Sequence, residues 1–192
     1  MIRNIEILRE LSKQGAVIGG SFAQSLLQGH RSAPDVDVFQ SPMTPTTASD
    51  VTRVNEWLTK ATIDGQKFDF VSGNFPHFKK RFSPVNVAGI NILDIRDQAL
   101  NKLEVISKRG RKTDYFDIYF MLKNIRFESM IKMYSHAYPD RSISQLLKCL
   151  VYFDDVEKDE SPANVLNVDW ETVKSTLIQK VNAFATFYKI QL

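Results

Sequence analysis

The first half of the chain combines helical and strand spacing of its apolar residues. Ile2, Ile5, Leu8 and Leu11 recur about every third residue, which predicts a helix over residues 2–13. The elements predicted next are a strand at 16–18, a helix from residue 22, a strand at 35–39, a loop at 41–49, a helix at 50–60, and strands at 67–71 and 85–93. This half therefore predicts a mixed β-sheet with flanking helices.

The second half has helical spacing almost throughout. The helices predicted there cover residues 95–108, 114–124, 127–137, 142–153 and 170–188, with an acidic connector at 154–162. This change of pattern divides the chain into an α/β core over residues 1–95 and a helical domain over residues 96–192. The predicted fold class is α+β.

Composition narrows the function only slightly. Hydrophobic residues make up 43% of the 192 residues, enough to bury a core, and the net charge of +3 is weak support for nucleic-acid binding. The single cysteine, Cys149, excludes an internal disulfide, and its apolar neighbours predict a buried side chain. His30, His77 and His136 are expected in loops or at the surface. We expect a cytoplasmic protein, because no signal peptide or membrane-spanning apolar run is recognisable.

A pair of aspartates carries the first candidate chemistry. Side chains alternate faces along a strand, so Asp35 and Asp37 share one face while Val36 and Val38 share the other. Two neighbouring carboxylates repel when ionised, and oxygen ligands suit Mg²⁺ or Mn²⁺. Asp69 lies on a second alternating strand and joins the pair if the two strands are neighbours. The same pattern also occurs in exposed strands and turns that bind nothing.

A glycine turn precedes the aspartates. Gly19-Gly20-Ser21 lies between a predicted strand and helix, where glycines allow backbone to approach a phosphate and the helix N-terminus supplies N–H groups. Ser21 adds a hydroxyl at the N-cap, although an ordinary turn with a serine cap fits equally well. Arg31 and Ser32 come just before the aspartate strand and could reach a phosphate or belong to a plain loop. Neither a Walker A loop nor a dinucleotide fingerprint is present.

The order of these elements resembles the core of the polymerase-β-like nucleotidyltransferase superfamily. That order is strand, Gly-Gly-Ser, helix, loop, Asp-x-Asp strand, helix and Asp strand. The resemblance implies that Gly19, Gly20 and Ser21 cradle a nucleoside triphosphate. It also implies that the carboxylates of three aspartates bind two Mg²⁺ or Mn²⁺ ions, namely Asp35, Asp37 and Asp69.

The start of the second half resembles the AbiEii/AbiGii toxin family of nucleotidyltransferases. Its members carry a helix with a lysine, then a basic turn, then an Asp-x-x-Asp that opens the next helix. Here these parts are Lys102, residues 108–112, and Asp114 with Asp117. The resemblance covers residues 14 to 124 or so, and implies that Lys102 contacts the nucleotide phosphates and that Asp114 acts in the site. Gln98 departs from the family, which often has a serine at that position.

Each of these residues also has a structural interpretation. Lys102 fits a solvated helix face, and Asp117 fits a helix cap or a packed helix face. The basic run 108–112 fits a solvated turn. It equally fits a surface that attracts a polyanion such as tRNA through Arg109, Arg111 and Lys112.

The leading hypothesis is a metal-dependent transferase that moves a nucleoside monophosphate from an NTP to an acceptor. The resemblance implies the toxin of a toxin–antitoxin or phage-defence pair, with RNA, tRNA or a protein as acceptor and a cognate antitoxin as partner. One alternative is a catalytically silent binding or antitoxin module that keeps the nucleotidyltransferase fold. Another is a transferase that modifies a small molecule of the aminoglycoside type.

Overall fold

The chain folds into two units, which we describe separately. A computed structural model describes residues 5–39, 48–72, 82–162 and 166–192, so most of the predicted loop at 41–49 lies outside the described residues. The first unit, Met1–Gln98, is called the sheet unit below, and the second, Ala99–Leu192, is called the helical unit.

The sheet unit is built on one mixed sheet. Its described elements are α1 (Ile5–Lys13), β1 (Val17–Gly19), α2 (Gly20–Gln28), β2 (Asp35–Phe39), β3 (Ser49–Arg53), β4 (Leu58–Ile63), β5 (Gln66–Val71), β6 (Val85–Val87) and β7 (Ile90–Ile92). The strand order is β3-β4-β5-β2-β1-β7-β6. The pairs β2–β5 and β1–β7 are parallel, and the other neighbouring pairs are antiparallel. The predicted mixed sheet with flanking helices is therefore present.

Strict alternation in the two central strands separates the core from the opposite face. Val36 and Val38 of β2 are buried, as are Phe68 and Phe70 of β5, and all four belong to one hydrophobic cluster. Helix α1 packs on β1 and β7, and α2 packs on β1 and β2. Because strand side chains alternate, the acidic residues between these apolar ones lie on the other face of the sheet.

The helix predicted over residues 50–60 is wrong, since this segment contributes to β3 and β4. Val51 and Val54 fit helical spacing, but they are 53% and 50% exposed in the structure. The Asn55 side chain accepts hydrogen bonds from the backbone N–H of Trp57 (2.8 Å) and Leu58 (2.9 Å), which closes a turn between the strands. Asn55 thus provides the local signal that divides this segment into a hairpin.

The single strand predicted over residues 85–93 is also wrong, because two short strands form a hairpin there. Ala88 and Gly89 both have positive φ, 51° and 86°, as expected for a two-residue hairpin turn. The Asn86 side chain accepts a hydrogen bond from the Gly89 N–H at 3.1 Å. Gly89 was the visible turn signal within this stretch.

The helical unit follows the predicted pattern closely. Its helices are α3 (Ile95–Arg109), whose first turn belongs to the sheet unit, α4 (Lys112–Met121), α5 (Phe127–Ala137), α6 (Ile143–Val151) and α7 (Trp170–Tyr188), with a short 3-10 turn at Asp154–Val156. Helix α7 packs against α4 and α6. Across the described ranges, no helix has the length and apolar character that a membrane crossing requires.

Tyr115 ties α4 to the end of α6. Its side chain is 3% exposed, and its hydroxyl donates to the carbonyl oxygens of Cys149 (2.9 Å) and Tyr152 (3.1 Å). Burial raises the pKa of this hydroxyl, so it remains a neutral donor at physiological pH. Cys149 itself is partly exposed, not buried as its apolar neighbours predicted.

We predict that Tyr115→Phe lowers the free energy of unfolding by about 1–2 kcal/mol, because the Cys149 and Tyr152 carbonyls lose the buried hydroxyl that they share as a donor. Tyr188→Phe is the matched control, since Tyr188 is 39% exposed. That control should change stability by less than about 0.5 kcal/mol. Urea denaturation followed by far-UV circular dichroism measures both, and equal stability of the two variants would contradict the prediction.

Candidate active site

A row of four residues crosses the sheet from β1 to β4. Gly19 pairs with Asp37, Asp37 with Asp69, and Asp69 with Lys60. Directly paired residues lie on the same face of a sheet, and neighbouring strands are about 4.8 Å apart. The register therefore brings Asp37 and Asp69 side by side, because β2 and β5 are neighbours, the condition that the sequence left open.

Asp35 lies on the same face, two residues before Asp37. Its strand partner on β5 is Lys67, so a lysine stands opposite this carboxylate as well. The Oδ1 atom of Asp35 is buried and has no hydrogen-bond partner within the described ranges. A buried carboxylate oxygen without a partner is costly, so this atom marks a place where a ligand would be favourable.

The glycine turn lies directly against the aspartates. Gly20 has φ +61°, and a Cβ built there would be 2.6 Å from Cγ of Asp37 and would overlap its carboxylate. A Cβ on Gly19 would overlap the ring of Phe39. A Cβ at either position would have to displace the Phe39 ring or the Asp37 carboxylate, and the left-handed backbone at Gly20 favours glycine further.

Ser21 is not the N-cap that its position suggested. Helix α2 begins at Gly20 with Gly19 as the cap, so Ser21 is the second helical residue. Its hydroxyl instead accepts a hydrogen bond from the guanidinium of Arg31, which also donates to the Ser32 carbonyl at 3.2 Å. Arg31 thus reaches back from the loop after α2 to the glycine turn.

The loop that carries Arg31 is more buried than the sequence indicated. Arg31 is 7% exposed, and His30 lies in the loop as expected but is fully buried rather than at the surface. Ser32 is exposed. Arg31 is therefore a fixed cation beside Ser21, while Ser32 faces solvent.

The described residues do not assemble a complete cluster of metal ligands. In the ranges that the structure describes, no three His, Cys, Asp or Glu side chains are close enough together to hold a metal ion. Asp69 is instead held by Lys60, whose Nζ is 3.1 Å from Asp69 Oδ2. The metal roles of Asp35, Asp37 and Asp69 stay predictions. Lys60 was missed because its segment was predicted to be helical.

Lys102 is the centre of an ion triad within the helical unit. Its Nζ is 2.7 Å from Asp114 Oδ1 and 2.8 Å from Asp117 Oδ2, and the three side chains are 13%, 9% and 0% exposed. Burial alone would lower the pKa of Lys102, but the charges of Asp117 and Asp114 outweigh it and raise that pKa. The solvated-face interpretation of Lys102 is therefore wrong, and the packed-face interpretation of Asp117 is confirmed.

The Asp114 side chain also caps the start of α4. Its Oδ2 accepts a hydrogen bond from the Arg111 N–H at 2.9 Å, which satisfies a backbone donor at the start of α4. The roles in the site that the resemblance gives to Lys102 and Asp114 stay predictions. What the structure adds is a firm structural role for each.

The basic turn at residues 108–112 is only partly a solvated surface. Lys112 is 5% exposed, and its Nζ donates to the carbonyls of Glu157 (2.8 Å) and Asp159 (2.6 Å). It therefore anchors the acidic connector and is not available to a polyanion. Arg109 and Arg111 are exposed.

Comparison with solved structures identifies the fold. MenT4, a nucleotidyltransferase toxin from Mycobacterium tuberculosis H37Rv, matches with a TM-score of 0.55 and 11% sequence identity, over 91% of this chain and 80% of that chain. The likeness confirms the predicted fold class, a nucleotidyltransferase core followed by a helical half. The Megavirus polyadenylate synthase matches with a TM-score of 0.43 and 13% identity over 62% of this chain, which spans 31% of that protein's length.

Comparison of sequences adds one relative. An uncharacterized protein of Aquifex aeolicus (strain VF5) is 26% identical over 181 residues, which cover 87% of this chain and 86% of that protein. No protein-family model matches the chain. The chain thus shares the fold of MenT4, and its resemblances to the polymerase-β-like superfamily and to the AbiEii/AbiGii toxins stay predictions.

We predict that Lys102→Met lowers the free energy of unfolding by about 3–5 kcal/mol, because two buried carboxylates lose their counter-ion. The matched control is Lys13→Met, which breaks the exposed pair of Lys13 with Glu10. That change should cost less than about 1 kcal/mol. Chemical denaturation compares the two, and a Lys102→Met protein as stable as the control would contradict a structural role for the triad.

Gly20→Ala tests the contact between the turn and Asp37. This substitution places a Cβ on a left-handed backbone and against the Asp37 carboxylate. Gly29→Ala is the matched control, because Gly29 has nearly the same φ, +62°, but a Cβ there has nothing within 4 Å. Gly29→Ala should cost about 1–2 kcal/mol from the backbone alone. Thermal and urea unfolding should show a clearly larger loss for Gly20→Ala, and equal losses would mean that the approach to Asp37 is not tight.

Proposed function

We propose that the protein is a metal-dependent nucleotidyltransferase that moves a nucleoside monophosphate from an NTP to an acceptor. The observation that carries this proposal is the pairing of Asp37 with Asp69, next to a glycine turn shaped around the Asp37 carboxylate. Carboxylates on neighbouring strands beside a helix N-terminus suit a substrate that combines phosphates with a divalent cation.

The donor set fits such a cation. Asp37 and Asp69 offer oxygens from adjacent strands, and Asp35 offers a buried Oδ1 without a partner in the described part of the chain. Mg²⁺ is commonly held by one or two carboxylates together with substrate phosphates, so a complete protein cage is not required. Mg²⁺ or Mn²⁺ bound there would make an acceptor hydroxyl more acidic and neutralise charge on the triphosphate.

The turn and its neighbours supply the contacts to the nucleotide. The N-terminus of α2 presents backbone N–H groups at Gly20 and Ser21, where the helix dipole favours an anion. The guanidinium of Arg31 is fixed on the Ser21 hydroxyl, which places a permanent positive charge beside this turn. Gly19, Gly20, Ser21 and Arg31 are thus our candidates for binding the triphosphate, with exposed Ser32 at the edge.

The reaction follows from these positions. The hydroxyl oxygen of the acceptor attacks the α-phosphorus of the NTP and gives up its proton to water, a new P–O bond forms, and the bond to pyrophosphate breaks. Asp35, Asp37 and Asp69 would hold the divalent cation near the reacting phosphorus, while the glycine turn orients the triphosphate.

We extend the proposal to a biological role. MenT4 is by its name a nucleotidyltransferase toxin, and the motifs around Lys102 and Asp114 resemble those of the AbiEii/AbiGii toxins. Together they support a toxin of a toxin–antitoxin or phage-defence pair, acting on RNA, tRNA or a protein and restrained by a cognate antitoxin. The exposed Arg109 and Arg111 are available to a polyanionic acceptor.

Asp37→Asn tests the transferase proposal. The purified protein is incubated with Mg²⁺, total tRNA and each of the α-labelled NTPs in turn, and incorporated label is counted. Loss of outer-shell partners of a metal ligand typically costs 10–100-fold, so loss of a ligand itself should cost about 100-fold or more. Asp64→Asn is the control, because it makes the same change in the β4–β5 turn, where φ is +49° and Asn is tolerated.

Two results would count against the proposal. Undiminished transfer by a folded Asp37→Asn protein would remove Asp37 from the site. No transfer by the unchanged protein from any NTP, combined with tight binding to a second protein, would favour the silent binding module.

A further inference from the structure

Lys60 is a lysine that the mechanism above does not use, although it lies in the same row as the aspartates. It pairs directly with Asp69 across the antiparallel strands β4 and β5. Its Nζ is 3.1 Å from Asp69 Oδ2, and the two side chains are 53% and 21% exposed. Asp69 therefore has Asp37 on one side and an ammonium group on the other.

The solvent exposure of the Lys60–Asp69 ion pair determines how strong this ion pair is. Ion pairs between exposed side chains contribute about 1 kcal/mol or less, because water solvates each partner well when they separate. Lys60 is about half exposed, so its ammonium can move into water at low cost. Asp69 is more buried and lies beside Asp37, so a cation beside it is favourable, whether that cation is the Lys60 ammonium or a divalent ion.

We propose that Lys60 is an exchangeable counter-ion that competes with the divalent cation for Asp69. This inference rests on the proposed function, since it assumes that Asp37 and Asp69 are cation ligands. In the cation-free protein, Lys60 neutralises part of the charge of the aspartate pair. When a divalent cation binds, the Lys60 ammonium leaves Asp69 Oδ2 for solvent.

Competition has a measurable consequence for affinity. The cation must displace Lys60 and must also bind close to its positive charge, and both effects weaken binding. Removing the charge of Lys60 should therefore strengthen divalent binding about tenfold. Lys60 thus acts through Asp69 and lowers the affinity of the site for a divalent cation.

The test is a Mn²⁺ titration of the full chain without nucleotide, in which free Mn²⁺ is measured by electron paramagnetic resonance. We expect Lys60→Gln to bind Mn²⁺ about tenfold more tightly than the unchanged protein, and Lys60→Arg to bind like the unchanged protein. Lys13→Gln is the matched control, because Lys13 is also an ion-paired lysine of the sheet unit but pairs with Glu10 on α1. It should leave the affinity unchanged.

Asp69→Asn completes the cycle. In that background Lys60→Gln should strengthen Mn²⁺ binding less than it does in the unchanged chain, because only the repulsion by the Lys60 charge remains once the shared partner is gone. Equal or weaker binding by Lys60→Gln in the otherwise unchanged chain, with a circular dichroism spectrum of the folded protein, would overturn the proposal. So would an equal strengthening by Lys13→Gln, since the effect would then be one of net charge.

The two proposals can fail separately. If Lys60→Gln tightens Mn²⁺ binding but the unchanged protein transfers no nucleotide, the competition stands and the transferase proposal falls. If transfer depends on Asp37 while Lys60→Gln leaves Mn²⁺ affinity unchanged, the transferase proposal stands and the competition falls.

Discussion

The register of β2 against β5 is the constraint on which the site depends. It pairs Val36 with Phe68 on the core face and Asp37 with Asp69 on the other face. Like charges placed opposite each other cost about 0.2–1 kcal/mol, whereas burying one large apolar side chain contributes about 1.5–3 kcal/mol. Core packing is therefore strong enough to hold two carboxylates together, and a slip of one residue would expose the core side chains.

The glycine turn is bound to the same register through β1. Gly19 pairs with Asp37, so the chain leaves β1 and enters α2 directly beside that carboxylate. A Cβ on Gly20 would overlap the Asp37 carboxylate, so the start of α2 packs directly against this side chain. Core burial thus determines both where the carboxylates lie and where the N–H groups of α2 begin.

The extent to which the sequence predicts this arrangement varies with burial. Alternation in β2 and β5 is sharp because one face of each strand is buried, so Asp35 and Asp37 could be assigned to one face in advance, whereas the place of Asp69 depended on which strands are neighbours. Strand β3 is exposed along its whole length, so no periodic burial distinguished it from a helix, and Lys60 on the next strand was overlooked. The burial of Arg31 could not be predicted either, because it depends on contacts between a loop and a turn ten residues earlier.

Differences in burial also explain why the ion pairs of Lys102 and Lys60 with aspartates differ in strength. Lys102 is 13% exposed and contacts two carboxylates, and the charges of Asp117 and Asp114 raise its pKa despite the burial. Separating that triad would leave uncompensated charges in the interior, so it is a fixed part of the helical unit. Lys60 contacts one carboxylate from an exposed position, where water replaces either partner at little cost. An ammonium–carboxylate contact is therefore structural in the buried Lys102 triad and exchangeable at the exposed Lys60.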